Sequence, residues 1–382
     1  MKTVLCLFTA LVLAASLAAQ SRSSAPEISQ VFDFSCNSNI TSCPQGFDPT
    51  LSPVQLSNGN FYGVTWWAGQ GSSANGGTVW KATPAGKVTA LHTFASSSGA
   101  FPEGENPVIG FAAGADGNLY GTTESGGTNN SGVFYKLTPS GSFTVLYNFC
   151  SLPDCTDGSA PIMLGQDGNF YGTVRGSDVL FQLTPQGVWS LIYTLSSGTF
   201  GGSLVQDSDG TFYGTGTESN LAGFVFSLTE TGVFTTLHNF GEFVPLTSNI
   251  VLASSNGNLY GATGSEIFQV TPTGGFTNIH EMTPAEGLSP SFLLQGSDGN
   301  LWGLAVNGGL SSNRPGTLFT LTTSGTFLSS EEFNCTKTGC NPEGMVEGSD
   351  GNFYGNAFTG GTAPNRNSLG TFFKVAAGLK PR

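Results

Sequence analysis

The sequence predicts an all-β fold: a seven-bladed β-propeller of four-stranded antiparallel blades, closed by an N-terminal strand at about residues 28–34. Three observations point there. The composition is rich in Gly and aromatics and poor in charge, one hexapeptide recurs seven times, and a strand missing from the last repeat stands in front of the first.

Composition removes the competing classes. The 382 residues include 55 Gly, 30 Phe, 9 Tyr and 5 Trp, with 10% charged, too aromatic and uncharged for a disordered chain. Sustained runs of helix formers are absent. A formal net charge of −13 argues against a nucleic-acid partner, because phosphate binding needs clustered Lys and Arg.

The chain opens as an export signal. Lys2 precedes an apolar run over 4–17, then small residues (Ser16, Ala18, Ala19) and polar Gln20-Ser21-Arg22. Residues 1–21 are therefore expected to be a secretory signal peptide and 22–382 a single propeller domain. The run is short for a bilayer span and no second one follows, so no membrane insertion is expected after cleavage. Cys6 leaves with the leader. The mature protein is expected to be a secreted monomer, periplasmic or extracellular.

The hexapeptide runs Asn58-Gly-Asn-Phe-Tyr-Gly63, Asp116-Gly-Asn-Leu-Tyr-Gly121, Asp167-Gly-Asn-Phe-Tyr-Gly172 and Asp209-Gly-Thr-Phe-Tyr-Gly214. It continues as Asn256-Gly-Asn-Leu-Tyr-Gly261, Asp298-Gly-Asn-Leu-Trp-Gly303 and Asp350-Gly-Asn-Phe-Tyr-Gly355. Successive copies lie 42–58 residues apart, about one propeller blade each. Within the second unit, 107–113 reads as strand A, Asp116-Gly117-Asn118 as a hairpin, and 119–123 as strand B. Residues 133–137 then form strand C, Thr138-Pro-Ser-Gly141 a turn, and 143–149 strand D.

The chain ends decide the topology. Strand C occurs seven times, but the turn and strand D follow only the first six. Ile28-Ser-Gln-Val-Phe-Asp-Phe34 resembles the D strands Leu146-Tyr-Asn-Phe149 and Leu237-His-Asn-Phe240, so it completes blade seven. A closed ring removes free sheet edges in this way; an open solenoid has no use for it.

Residues 118–127 (Asn-Leu-Tyr-Gly-Thr-Thr-Glu-Ser-Gly-Gly) and 132–141 (Gly-Val-Phe-Tyr-Lys-Leu-Thr-Pro-Ser-Gly) closely resemble the GloVer (Gloeobacter/Verrucomicrobia-type) tandem repeat of exported bacterial proteins. The resemblance covers nearly all of the mature chain and departs most at Gly261-Ala-Thr-Gly-Ser-Glu266. It implies export and a propeller-like array, with no catalytic residues to carry over. More distantly, the Asp-Gly-Asn turn is similar to that of NHL-type propellers, which include binding modules and lyases.

Six further cysteines fall in neighbouring pairs, Cys36/Cys43, Cys150/Cys155 and Cys335/Cys340, each between a D strand and the next A strand. In an exported chain they are expected to be three local disulfides. Their spacing, without nearby His, does not suit zinc.

Candidate chemistry is sparse. His92, His238 and His280 each occupy the D-strand slot held elsewhere by Phe32, Tyr147 or Tyr193, so they sit on separate blades in a structural role. Residues 207–218 carry calcium-loop oxygens, but Phe212 stands where an EF-hand needs Gly. A carboxylate or amide precedes Gly in several D–A loops: Gln45, Glu103, Asp157, Glu286 and Glu343. This recurrence is expected to mark a loop hydrogen bond common to the blades. The minority reading is channel-mouth carboxylates that bind calcium or serve glycosidase or lyase chemistry. No other cofactor or metal is called for.

Tight turns join A to B and C to D on one face, so the B–C and D–A loops share the other. The B–C loop is long in blades six, seven, one and two, which are contiguous in the ring. That lip carries Trp66, Trp67, Asn129, Asn313, Arg314, Phe358, Asn365 and Arg366. Adjacent Trp with Asn and Arg suits a glycan or protein ligand, unless the Trp pair packs against neighbouring blades. The expected function is an exported binding or scaffold module. A secreted polysaccharide lyase or hydrolase and a structural cell-surface element are the alternatives.

Overall fold

The structure is a computed structural model, and it describes residues 26–36, 43–67, 75–96, 100–107, 110–152, 161–174, 177–241, 250–252, 256–362 and 368–380. The expected signal peptide, Cys155, Asp157, Asn365 and Arg366 lie outside these residues. All regular structure described is β. No helix among the described residues is long and apolar enough to cross a membrane.

Among the described residues, twenty-eight strands form seven four-stranded antiparallel sheets. The chain begins with β1 (Glu27–Ser35) and then builds blade one from β2 (Phe47–Gln55), β3 (Phe61–Trp67), β4 (Asn75–Ala82) and β5 (Val88–Ala95). Blade two holds β6 (Gly110–Ala113), β7 (Leu119–Thr122), β8 (Val133–Leu137) and β9 (Phe143–Asn148). Blade three holds β10 (Ile162–Leu164), β11 (Phe170–Thr173), β12 (Val179–Leu183) and β13 (Trp189–Thr194). Blade four holds β14 (Thr199–Gln206), β15 (Phe212–Thr217), β16 (Gly223–Leu228) and β17 (Phe234–Asn239). Blade five holds β18 (Ile250–Leu252), β19 (Leu259–Ala262), β20 (Glu266–Val270) and β21 (Phe276–Glu281). Blade six holds β22 (Leu288–Gln295), β23 (Leu301–Asn307), β24 (Thr317–Leu321) and β25 (Phe327–Glu332). Blade seven has β26 (Cys340–Glu347), β27 (Phe353–Thr359) and β28 (Ser368–Ala376), with β1 as its fourth strand.

That last pairing is the expected closure. β1 runs antiparallel to β28 with Glu27 opposite Ala376, Phe32 opposite Phe372 and Ser35 opposite Ser368. Phe34 is fully buried, its ring centroid 5.6 Å from that of Trp80 in blade one. The closing strand thus satisfies a backbone ladder and fills a junction core with one segment.

Each position of the hexapeptide has a physical task. Asp116 accepts from the Asn118 backbone N–H (3.1 Å) and the Tyr120 hydroxyl (3.0 Å), tying the turn to the strand that follows. Asp167 with Tyr171 and Asp350 with Tyr354 repeat this, each hydroxyl donating at 2.9 Å. Asn58 and Asn256 instead donate to Tyr62 and Tyr260, and Trp302 donates its indole N–H to Asp298 at 3.2 Å. The second residue turns the chain at positive φ, 75° at Gly117, where glycine is unstrained. The sixth lies directly opposite an aromatic of strand C in every blade, from Gly63 with Trp80 to Gly355 with Phe373. A Cβ there would overlap the ring, so the ring covers the glycine and the two sheets pack closely.

Candidate functional site at the long-loop face

The B–C and D–A loops do share one face, as the meander of each blade requires. The rim of blades six, seven, one and two is shaped by a motif that the loop comparison missed. Gly46-Phe-Asp-Pro49, Gly104-Glu-Asn-Pro107, Gly287-Leu-Ser-Pro290 and Gly339-Cys-Asn-Pro342 recur at these four contiguous blades. The residue before each proline is left-handed: Asp48 (φ 54°), Asn106 (54°), Ser289 (56°) and Asn341 (57°). Such φ values are strained for residues with a Cβ and need compensation. It comes from the preceding blade. The Asn106, Ser289 and Asn341 N–H groups donate to the Gly76, Gly264 and Pro315 carbonyls at 2.6, 3.3 and 3.0 Å. Pro49, Pro107 and Pro342 pack on Gly370, Gly77 and Gly316.

This register corrects the reading of Glu343-Gly344 as another loop copy. Gly339 is the counterpart of Gly46 and Gly287, because the carbonyl before each of these glycines accepts a hydrogen bond from a strand-C threonine. The bonds run from Thr78 to Gln45 (2.9 Å), Thr317 to Glu286 (2.6 Å) and Thr371 to Thr338 (2.7 Å). The shared loop bond thus uses the backbone carbonyl and not the side chain. Glu103 meets His92 at 3.3 Å, without hydrogen-bond geometry at the imidazole nitrogen. Glu286 accepts from the Thr283 N–H (2.8 Å) and lies 3.2 Å from His280. Burial works against the Glu286 charge, but these bonds hold its carboxyl below the usual range.

The histidines are stacking residues. His92 lies parallel to Phe143 of the next blade at 4.0 Å, His238 to Phe276 at 3.9 Å, and Tyr193 to Phe234 at 5.2 Å in the equivalent slot. Burial lowers the His92 pKa to about 4, so the ring is neutral at pH 7.

Glu343 sits at an irregularity between Pro342 and Gly344, where β26 carries one residue more than β27. Such a bulge re-aims a side chain, and β26 is the innermost strand of its blade, so Glu343 is turned out of the ladder. It is accessible to water, yet surrounding protein desolvates its carboxyl and raises its pKa. The sequence reading missed Asp48, whose pKa is pushed up to about 6 by burial. The Gly-x-x-Pro spacing was the signal that could have found it. Beside it, Asn356 is fully buried in β27 and donates to the Thr50 and Leu51 carbonyls of β2 at 3.2 and 3.0 Å, bolting blade seven to blade one.

The aromatic lip is partly open. Trp67 is 45% exposed, pairs with Phe47 across β2 and β3, and lies next to half-buried Trp66 with ring centroids 6.4 Å apart. Strand alternation places Trp67 on the Phe61 side of β3, which packs on blade seven, and half-buried Phe358 on the Tyr354 side of β27, which packs on blade one. Trp67 and Phe358 therefore both face the junction of blades seven and one. Asn129, Asn313 and Arg314 are exposed, but Asn129 donates to the Phe149 carbonyl (3.1 Å) and Asn313 to the Cys335 sulfur (3.4 Å). These two amides brace their loops.

Of the expected disulfides, Cys36–Cys43 is formed and Cys150 is disulfide-bonded. Cys335 and Cys340 depart from expectation and are free thiols. The loop between them is already closed by the Asn334 carbonyl, which accepts from Lys337, Thr338 and Gly339. Burial and the adjacent Cys340 thiol push the Cys335 pKa up to about 12. Among the described residues no group of three or more His, Cys, Asp or Glu is placed to hold a metal ion. On the opposite face, a crease of ≈ 240 Å³ between blades two and three is lined by Asp116, Lys136, Phe170 and Gln186, its carboxylate already bonded by Lys136 at 2.7 Å.

A profile of the Gloeobacter/Verrucomicrobia repeat matches residues 27–201 and 102–266. The chain belongs to this repeat family. Blade six and strands β26 to β28 of blade seven lie beyond the matched segments and continue the same four-stranded plan. Among solved structures, this Gloeobacter/Verrucomicrobia repeat protein is similar to a streptogramin B lyase, with TM-score 0.60, 16% identity, and 92% of this chain and 98% of that one covered. A catalytically inactive virginiamycin B lyase from Staphylococcus aureus, solved with quinupristin, gives 0.59 and 18%, covering 92% and 99%. The extracellular domain of a hybrid two-component system of B. thetaiotaomicron gives 0.59 and 14%, covering 87% and 40%. At these identities the likeness is one of fold. No curated protein matches the chain.

Proposed function

We propose that the mature protein is an exported binding module that seats an extracellular polymer, glycan or protein, on the loop face of blades six, seven, one and two. The observation that carries this reading is Trp67, an aromatic 45% exposed at the junction of blades seven and one. A flat apolar ring on a face whose inner strands also carry Asp48 and Glu343 suits a sugar face with its hydroxyls, or a peptide with polar flanks. The latches between blades make the rim rigid, which limits the ordering entropy lost on binding.

One observation favours an enzyme as the second reading. Burial raises the pKa of both Asp48 and Glu343, the direction in which a general acid is tuned. They stand in place of Glu286, which is bonded to Thr283 and His280, and of Glu103, which lies on separate blade two beside neutral His92, as the residues for lyase or hydrolase chemistry. Screening purified protein against plant and bacterial polysaccharides and surface proteins, for both retention and product release, separates the readings. Retention lost in Trp67→Ala without product supports the binding module. Product formation that is lost in Glu343→Gln supports the enzyme, and neither retention nor product from any polymer rejects both.

A further inference from the structure

On the hairpin face, opposite the long loops, one strand-C slot is cationic in three contiguous blades. The residue directly across the ladder from the hexapeptide aromatic is Lys374 in blade seven, Lys81 in blade one and Lys136 in blade two. In blades three to six the same slot holds Gln182, Ser227, Gln269 and Thr320. Two of the lysines show what the slot accepts. Lys136 reaches a carboxylate oxygen of Asp116 at 2.7 Å and Lys374 one of Asp350 at 3.5 Å. Each ammonium also lies 5.5 Å from the ring centroid of the facing tyrosine.

Blade one has the lysine without the carboxylate. Its hexapeptide opens with Asn58, whose amide donates to the Tyr62 hydroxyl and accepts from the Asn60 N–H, both at 2.9 Å. Residues 49–102 contain no Asp or Glu. A second cation stands beside Lys81. Lys87 lies two residues before Thr89, the partner of Lys81 in the ladder, so both side chains leave one face of the hairpin. That face looks toward blade two, because Tyr62 packs with Leu119 and Tyr135. Among the described residues the ion pairs of lysine are those of Lys136 and Lys374, which leaves Lys81 and Lys87 without a carboxylate. Asp116 of blade two is already held by Lys136, Tyr120 and Asn118. Like charges set this close repel, and an anion between them relieves the repulsion.

We propose that Lys81 and Lys87 bind a carboxylate of an acidic glycan, a uronate polymer, that runs along the hairpin face over blades seven, one and two. The guest carboxylate takes the part that Asp116 and Asp350 play in the neighbouring blades. The crease between blades two and three shows what the slot opens into, a depression of ≈ 240 Å³ lined by Lys136, Tyr120, Gly168 and Gln186. Gly117, the blade-two counterpart of Gly168, also has open space over it. One exposed ion pair contributes little, so the occupant is a chain that repeats its charge along the arc. Lys81 is half-buried, within reach of a slim sugar carboxylate and withdrawn from a flat bilayer surface. This contact is electrostatic and separate from the loop face, so it does not depend on Trp67.

Calorimetric titration of the mature chain with polygalacturonate at about 20 and about 500 mM salt tests this. Saturable binding is expected at low salt and its loss at high salt. Lys81→Gln combined with Lys87→Gln should weaken low-salt binding at least about tenfold. Asn58→Asp should weaken it too, because it gives Lys81 the carboxylate that blades two and seven supply to their lysines. Neither variant should lower the melting temperature, and Trp67→Ala should bind polygalacturonate unchanged. Absence of binding at low salt overturns the inference, as does binding that survives both lysine replacement and Asn58→Asp. Equal affinity for phosphatidylglycerol vesicles overturns the glycan as the occupant.

Discussion

Gly303 lies directly across the ladder from Phe319, and a Cβ at Gly303 would fall well inside van der Waals contact with that ring. The ring is fully buried and cannot swing aside without opening the core between blades five and six. Gly303→Ala is therefore expected to destabilise the fold by about 3 kcal/mol, the range of overpacked cores. Gly264→Ala, where a Cβ meets open space, should be nearly neutral. Denaturant melts of the two variants check this.

Closing the ring with β1 makes residues 22–34 structurally essential. Their deletion strips one ladder from β28 and removes Phe34 from its core. The loss should exceed several-fold the roughly 1 kcal/mol of an ordinary substitution, and the bared edge should aggregate. Light scattering during a thermal melt reports both. An unchanged melt would contradict closure.

The cysteines should divide. Cys36–Cys43 ties the end of β1 to the start of β2 across a separation of 7 residues. Replacing both by Ser should remove roughly 2.5 kcal/mol on the chain-entropy estimate. The Cys335→Ser, Cys340→Ser double variant should shift the melt little, because that loop is held by the Asn334 carbonyl. Denaturing thiol titration without reductant should find both of these cysteines reactive.

Two groups oppose each other in pH dependence. His92 binds its proton less tightly folded than unfolded, so it contributes stability at neutral pH that is lost as pH falls from 6.5 towards about 4. His92→Tyr, the residue this slot holds at Tyr147 and Tyr193, should remove that loss. Asp48 holds its proton more tightly when folded, so stability falls as pH rises from 3.8 through about 6. Asp48→Asn should stabilise the protein at pH 7 by about 2 kcal/mol while weakening polymer capture. Melts across pH 4 to 8 read both signs.

Seven blades and their closure were legible because the tasks of the hexapeptide are local. A turn glycine, a cap on Tyr or Trp, and a glycine beneath an aromatic leave the same letters in every copy. The site was less legible because it is built from departures from the repeat. Glu343 sits at a bulge that β22 repeats at Ser291, and its Glu-Gly pair imitates Glu286-Gly287 five residues beyond the true counterpart, Gly339. Asp48 is conspicuous only once its left-handed backbone and burial are known. Glu103 looked like a free mouth carboxylate until the fold set His92 beside it. Cys335 and Cys340 had disulfide spacing, but spacing says nothing of a turn that closes the loop by itself.

The binding face is tested most directly by hydrogen-exchange footprinting of the full mature chain, with and without a polymer it retains. The account predicts slowed exchange at residues 47–50, 65–67, 307–316 and 356–362, with blades four and five unchanged. Slowed exchange confined to the hairpin face, or to blades three to five, would contradict it.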